Sequence, residues 1–231
     1  MKNIERIVYG LTITIVIFLT ALFAGREIHL DSNFIASTFP THTAMIIFSL
    51  VAMILLKKNL TYNISLPKFR LILKPILYGI LATILVNLLM TILTKVAGGK
   101  IEAHPLIDKL KPIQVFIFVF IYASFAEEIL FRGFLMNLLK PLNQKGISLF
   151  KRKISIPVII SAIMFGLAHL CLMTTGVGFF FLFRVVVFTM TLGLIAGYYQ
   201  EKYDNNSYAI IVHMSGNLIA VLGSVLIHMN M

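Results

Sequence analysis

Long apolar runs alternate with short polar or basic segments along the whole chain. Most of these runs approach the roughly 20 residues that a helix needs to cross the hydrocarbon core of a bilayer. The run at 43–56 is the shortest and the weakest candidate. We therefore expect an all-α fold, a polytopic transmembrane helical bundle of about seven spans, forming one membrane domain over residues 1–231. The predicted spans are 7–24, 43–56, 75–96, 113–139, 156–173, 179–199 and 208–227.

The composition supports this membrane class and argues against a soluble domain. Hydrophobic residues make up 59% of the chain and charged residues 13%, against about 45–50% and 25% in soluble proteins. The net charge of +11 arises mainly from Lys and Arg in the segments between the spans. Such segments set the topology and contact anionic lipid, so we predict a lipid bilayer as partner and no nucleic acid.

The positions of the basic residues predict the orientation of the bundle. Thirteen of the twenty Lys and Arg residues lie on the same side as the N-terminus, five lie on the other side, and Arg132 and Arg184 lie within spans. Because basic residues concentrate in cytoplasmic loops, we expect a multi-pass protein of the cell membrane with a cytoplasmic N-terminus. The first run also resembles a secretory signal. Leu22 stands where cleavage needs a small residue, so we predict a retained helix.

Three charged residues interrupt the apolar run at 113–139. Glu127, Glu128 and Arg132 lie within two turns of one predicted helix, where each charge costs about 2.5–3.5 kcal/mol at the membrane centre. Glu128 and Arg132 are spaced as an i,i+4 ion pair, and Glu127 is rotated away from them. We predict that Glu127 does chemistry and that Glu128 and Arg132 support it. The alternative is a structural ion pair that braces the bundle.

Two further spans carry polar side chains at membrane depth. His169 lies in the run at 156–173, whereas His213 and Asn217 share one face of the last helix. Buried polar groups in lipid need partners, so the simplest packing brings the three clusters together. A carboxylate, two imidazoles and a carboxamide suit the activation of a water beside a carbonyl group. The single cysteine, Cys171, excludes an intrachain disulfide and a multi-cysteine zinc site.

The three polar clusters carry a family resemblance. Their order is E-E-x-x-x-R at Glu127, Glu128 and Arg132, F-x-x-x-H at 165–169, and H-x-x-x-N at 213–217. This order resembles the CAAX-protease and bacteriocin-processing family of intramembrane proteases, also called the Abi family. The resemblance covers a catalytic core at about residues 113–217. Each motif alone is weak, but the three together, in order and in separate helices, are fairly specific.

The resemblance implies hydrolysis of a peptide bond within the membrane, with a peptide or protein as substrate. Carried over by position, Glu127 and His169 would hold and activate the water, and His213 and Asn217 would stabilise the oxyanion. Glu128 and Arg132 would support the site. Bacterial relatives are linked to bacteriocin processing or to self-immunity. Neither the substrate nor the oligomeric state follows from the sequence.

The resemblance leaves open whether a metal takes part. The family has also been described as metalloproteases, and Glu127, His169 and His213 could supply three zinc ligands with an open fourth position. We expect no metal and no other cofactor, because the spacing is not H-E-x-x-H. Asn217 also fits an oxyanion donor better than a neighbour of a closed metal shell.

Two functions from other classes compete with proteolysis. One is a non-proteolytic immunity or scaffold protein that keeps the polar core for packing. The other is an ion-coupled transporter, because intramembrane charged residues also mark ion pathways. The sequence shows no inverted repeats, which disfavours the transporter.

Overall fold

The computed structural model describes residues 1–105, 107, 109–149 and 152–229. Asp108 and Lys151, which the sequence assigns to polar loops, lie outside these ranges. The described part is a helical bundle, so the predicted all-α polytopic fold is confirmed. Its helices are α1 Asn3–Glu27, α2 Phe39–Leu55, α3 Phe69–Val96, α4 Pro112–Met136, α5 Ile156–Ala168, α6 Phe179–Tyr203 and α7 Asn206–Met229.

The lengths of the helices fit a multi-pass membrane protein. Within the described ranges, six helices are long and apolar enough to cross a membrane. The remaining one, α2, is a shorter apolar helix, in keeping with the weakness of its run in the sequence. Charged turns extend some helices beyond their apolar part. Thus α3 begins at Phe69 rather than at residue 75, and Pro75 lies inside it.

Helix α4 is irregular on both sides of its glutamates. Its middle turn, Ser124–Glu128, is a regular α-helical turn, whereas Val115–Ala123 and Ile129–Met136 are π-helical. Such widened turns are rare and occur frequently at functional sites. Every residue of Ile129–Met136 is buried, so the second half of α4 is the core of the bundle. The two glutamates therefore lie where the helix becomes fully enclosed.

The other helices converge on α4. Helices α2 and α7 contact its middle turn, α5 contacts its second half, and α3 packs against α6 and α7. Two glycines of α6, spaced four residues apart, lie where it packs against α4 and α5. A side chain at Gly193 would come within 2.7 Å of the Arg132 guanidinium, and one at Gly197 within 3.1 Å of Val158. Both glycines thus let α6 approach α4 and α5.

Two irregular segments flank α5. A short antiparallel hairpin, β1 Gly146–Leu149 and β2 Arg152–Ser155, precedes it. The sequence pattern predicted no strands in this basic loop. A 3₁₀ turn, His169–Thr175, follows it and ends at Gly176 with a φ of +78°. Glycine is required there because other residues rarely adopt this left-handed conformation. The turn places His169 at the very end of α5.

Candidate active site

A buried ion pair forms the inner part of the polar cluster. Arg132 Nη1 donates to Glu128 Oε1 over 2.9 Å, and both side chains are 0% exposed. The guanidinium lies 4.7 Å from the centre of the Phe165 ring. The carbonyl oxygen of Arg132 accepts hydrogen bonds from Gln200 and Asn137. The predicted i,i+4 pair is therefore present and is fixed by α4, α5 and α6 together.

His213 connects this ion pair to the second glutamate. Its Nδ1 lies 2.9 Å from Glu128 Oε1, and its Nε2 lies 3.7 Å from Glu127 Oε2. Glu128 is a carboxylate beside a guanidinium and can only accept hydrogen bonds, so Nδ1 of His213 carries the hydrogen. Nε2 is then the nitrogen that faces Glu127. Glu128 thus orients His213 as well as pairing with Arg132, a contact that the sequence did not reveal.

Glu127 is the accessible member of the glutamate pair. Its side chain is 17% exposed, whereas that of Glu128 is 0% exposed. It points away from Arg132, as the helical offset predicted, and lies between two imidazoles. His42 Nε2 is 3.6 Å from Oε1, and His213 Nε2 is 3.7 Å from Oε2. Among the two carboxylates, Glu127 is the one positioned to meet a water or a substrate.

His169 is linked to the same cluster through the Phe165 ring. Its Nδ1 lies 2.9 Å from the carbonyl oxygen of Phe165, so Nδ1 is the donor and Nε2 is left as an acceptor. The imidazole is close enough to interact electrostatically with Glu127, His213 and His42. The Phe165 ring contacts His169 and His213 edge-on, with centroids 5.2 Å apart in each pair. Phe165 thereby positions both imidazoles.

Asn217 lies one turn further along α7 and faces α4. Its Nδ2 donates to Ser124 Oγ over 3.0 Å and to the Val119 carbonyl over 3.4 Å. Both bonds tie α7 to the turn before the glutamates. An oxyanion would have to replace Ser124 as the acceptor. The role predicted for Asn217 in oxyanion binding stays a prediction.

His42 is the member of the cluster that the sequence missed. It lies in the first turn of α2, which begins at Phe39, whereas the apolar pattern placed the start of this span at residue 43. The histidine therefore falls just before the predicted span. Its side chain is only 12% exposed and contacts Glu127. A histidine at the border of a short apolar run was the one available signal.

The geometry gives the zinc alternative no support. Among the residues that the structure describes, no three His, Cys, Asp or Glu side chains converge as metal ligands do. This holds for the alternative set of Glu127, His169 and His213. Metal independence stays a prediction.

A family comparison covers most of this cluster. Residues 109–219 match the family model described as Rce1-like, type II CAAX prenyl endopeptidase. The matched segment contains all the motif residues, from Glu127 to Asn217, so the family resemblance drawn from the motifs is confirmed. His42 lies outside this segment. No curated protein and no solved structure matches the chain.

Proposed function

We propose that this chain is an intramembrane endopeptidase of the CAAX-protease type, which hydrolyses a peptide bond with a water activated by Glu127 and His169. One observation carries the proposal. Glu127 is partly exposed and flanked by imidazoles, while the neighbouring Glu128 is held in an ion pair with Arg132. Two adjacent carboxylates thus have separate environments, which is the arrangement that separates a general base from a supporting charge.

The water is activated between two acceptors. The Glu127 carboxylate and His169 Nε2 each accept one of its hydrogens, which directs an oxygen lone pair toward the scissile carbonyl carbon. As the C–O bond forms, one proton moves to Glu127. The carbonyl π electrons move to oxygen and give a tetrahedral oxyanion.

The oxyanion is stabilised from α7. His213 donates from Nε2 when it carries a second proton, and the negative charge of Glu128 at Nδ1 stabilises that imidazolium. The Asn217 amide supplies a second donor by exchanging Ser124 Oγ for the substrate oxygen. When the C–N bond breaks, its electron pair goes to nitrogen, and Glu127 returns its proton to the leaving amine. The products are a carboxylic acid and an amine.

Peptide hydrolysis in labelled water tests the proposal directly. Purified protein in detergent is incubated in H₂¹⁸O with two internally quenched peptides, one ending in a farnesylated CAAX sequence and one with the same sequence unprenylated. We expect cleavage with ¹⁸O in the new carboxyl terminus. Glu127→Gln keeps the shape of the side chain but loses the base, so turnover falls by about 10²–10⁴-fold. Full activity in this variant refutes the proposal.

Bacteriocin processing or self-immunity is the biological setting that we propose from the resemblance. Cells that express wild-type protein or Glu127→Gln are compared for survival in the presence of a bacteriocin. Loss of protection with the variant supports a proteolytic role. Full protection by a stably expressed, inactive variant would instead identify a non-proteolytic immunity protein.

A further inference from the structure

We infer that His42 is a further functional side chain of this site, a positioning residue that holds the Glu127 carboxylate in the orientation needed to accept a proton. It lies on α2, outside the segment that matches the family. The inference rests on the proposed role of Glu127 as the base. If it holds, the base Glu127 depends for its orientation on α2, a helix that contains none of the family motifs.

The two imidazoles contact opposite oxygens of one carboxylate. His42 Nε2 lies 3.6 Å from Oε1 of Glu127, and His213 Nε2 lies 3.7 Å from Oε2. Rotation of the carboxylate about its last torsion angle would break both contacts. His213 is already fixed by Glu128, so His42 supplies the second fixed point. Together they define the plane of the carboxylate.

A single tyrosine of α4 fixes the turn of α2 that carries His42. The Tyr122 ring stacks on Phe39 with centroids 5.0 Å apart and meets the His42 ring edge-on at 6.3 Å. Thr43 donates its hydroxyl hydrogen to the Phe39 carbonyl, so Tyr122 is the donor in the 2.8 Å bond between the two hydroxyls. One turn of α2 thus contacts Tyr122 at three points. These contacts fix the register of α2 against α4.

Packing alone does not account for a histidine at this position. Within the described residues, His42 Nδ1 is buried and has no hydrogen-bond partner. Leaving such an atom unsatisfied costs about 1–3 kcal/mol, which an apolar residue would avoid. The polar atom that does find a partner is Nε2, and that partner is Glu127. The benefit of the histidine therefore lies at Nε2.

Matched substitutions separate positioning from packing. His42→Gln keeps an amide donor near the position of Nε2, whereas His42→Asn is too short to reach Glu127. His228→Asn is the control, because His228 is also on a membrane helix but bonds only to the carbonyl of Ser224 among the described residues. The turnover number, KM and melting temperature are measured with the peptide that the wild type cleaves.

We expect kcat of His42→Asn to fall by about 10²-fold, because misplacing a reacting group by about 1 Å has this effect. Its KM should change less than about threefold, since the contact is to the base and not to the substrate. His42→Gln should recover most of kcat, and His228→Asn should behave as wild type. Wild-type kcat in folded His42→Asn overturns the inference. So does loss of folding in both His42 variants, because that outcome assigns His42 to packing.

A double variant separates this inference from the proposed function. If His42 acts through Glu127, then adding His42→Asn to Glu127→Gln lowers the residual rate no further, and an additional drop of similar size contradicts the inference. If Glu127→Gln alone stays fully active, the proposed function fails instead. If the wild type cleaves neither peptide, the proposed function also fails. The His42–Glu127 contact is then judged by thermal melting, where strictly additive effects of the two substitutions overturn it.

Discussion

The buried ion pair gives the sharpest prediction, because its loss affects stability and activity by different routes. In Glu128→Gln, Arg132 keeps its charge in a site that is 0% exposed. Breaking one partner of a buried pair costs on the order of 3–5 kcal/mol. For a chain of this size, 1 kcal/mol shifts the melting temperature by about 2–4 °C. We therefore expect Glu128→Gln to melt roughly 6–20 °C below wild type.

Removing both charges separates the effect of the ion pair on stability from its effect on activity. Glu128→Gln combined with Arg132→Met leaves no buried charge without a partner, so part of the lost stability should return. Activity should not return with it, because Glu128 also accepts the Nδ1 hydrogen of His213. A neutral glutamine there no longer stabilises the protonated imidazole. Stability without activity is the expected result for the double variant.

Thermal melting and peptide turnover in one detergent test this reasoning. A double variant that is both stable and active would refute the role given to the Glu128–His213 contact. A stable Glu128→Gln that is inactive, alongside an active Glu127→Gln, would exchange the roles of the two glutamates. Normal melting of Glu128→Gln would show that the pair contributes little to the fold.

The remaining predictions concern metal, orientation and pH. Chelators should leave turnover intact and purified protein should lack stoichiometric zinc, whereas activity lost to a chelator and restored only by zinc would reverse the metal-free assignment. In a background without Cys171, an impermeant thiol reagent should label Lys100→Cys but not Lys145→Cys in intact cells, and the opposite pattern would invert the topology. Burial lowers the pKa of His104 to about 4 from the ordinary 6.5, so the folded state binds this proton less readily than the unfolded state. Stability should therefore fall as the pH drops from about 6.5 to about 4, and His104→Phe should flatten that part of the melting profile if His104 is responsible.

The sequence was sufficient for the parts of the structure that depend on apolarity along the chain. Membrane helices must satisfy their own backbone hydrogen bonds, so an apolar run of sufficient length nearly determines a helix. Charged and polar side chains are costly to bury in lipid, and for this reason Glu127, Glu128 and Arg132 stood out in the sequence, together with His169 and His213. Of the predicted convergence, the structure shows the contacts of His213 with both glutamates.

The parts that could not be predicted are those set by packing between helices. His42 was missed because hydropathy marks where lipid begins and not where a helix begins, and α2 starts at Phe39. The bond from His213 to Glu128 depends on the relative register of α7 and α4, which no local pattern encodes. The hairpin before α5 was missed because each of its strands has only four residues, which is too short for an alternation of apolar and polar residues to indicate a strand.

Because of its π-helical stretches, α4 can gain or lose a residue without changing the direction in which its glutamates point. A π turn holds one residue more than an α turn. Deleting one residue within Val115–Ala123 can therefore convert a wide turn into an ordinary one, and Ser124–Glu128 keeps its face toward α2 and α7. The same deletion in a regular helix rotates everything beyond it by about 100°. Related sequences should thus differ by single insertions or deletions on either side of this turn, while the spacing within its 5 residues stays constant.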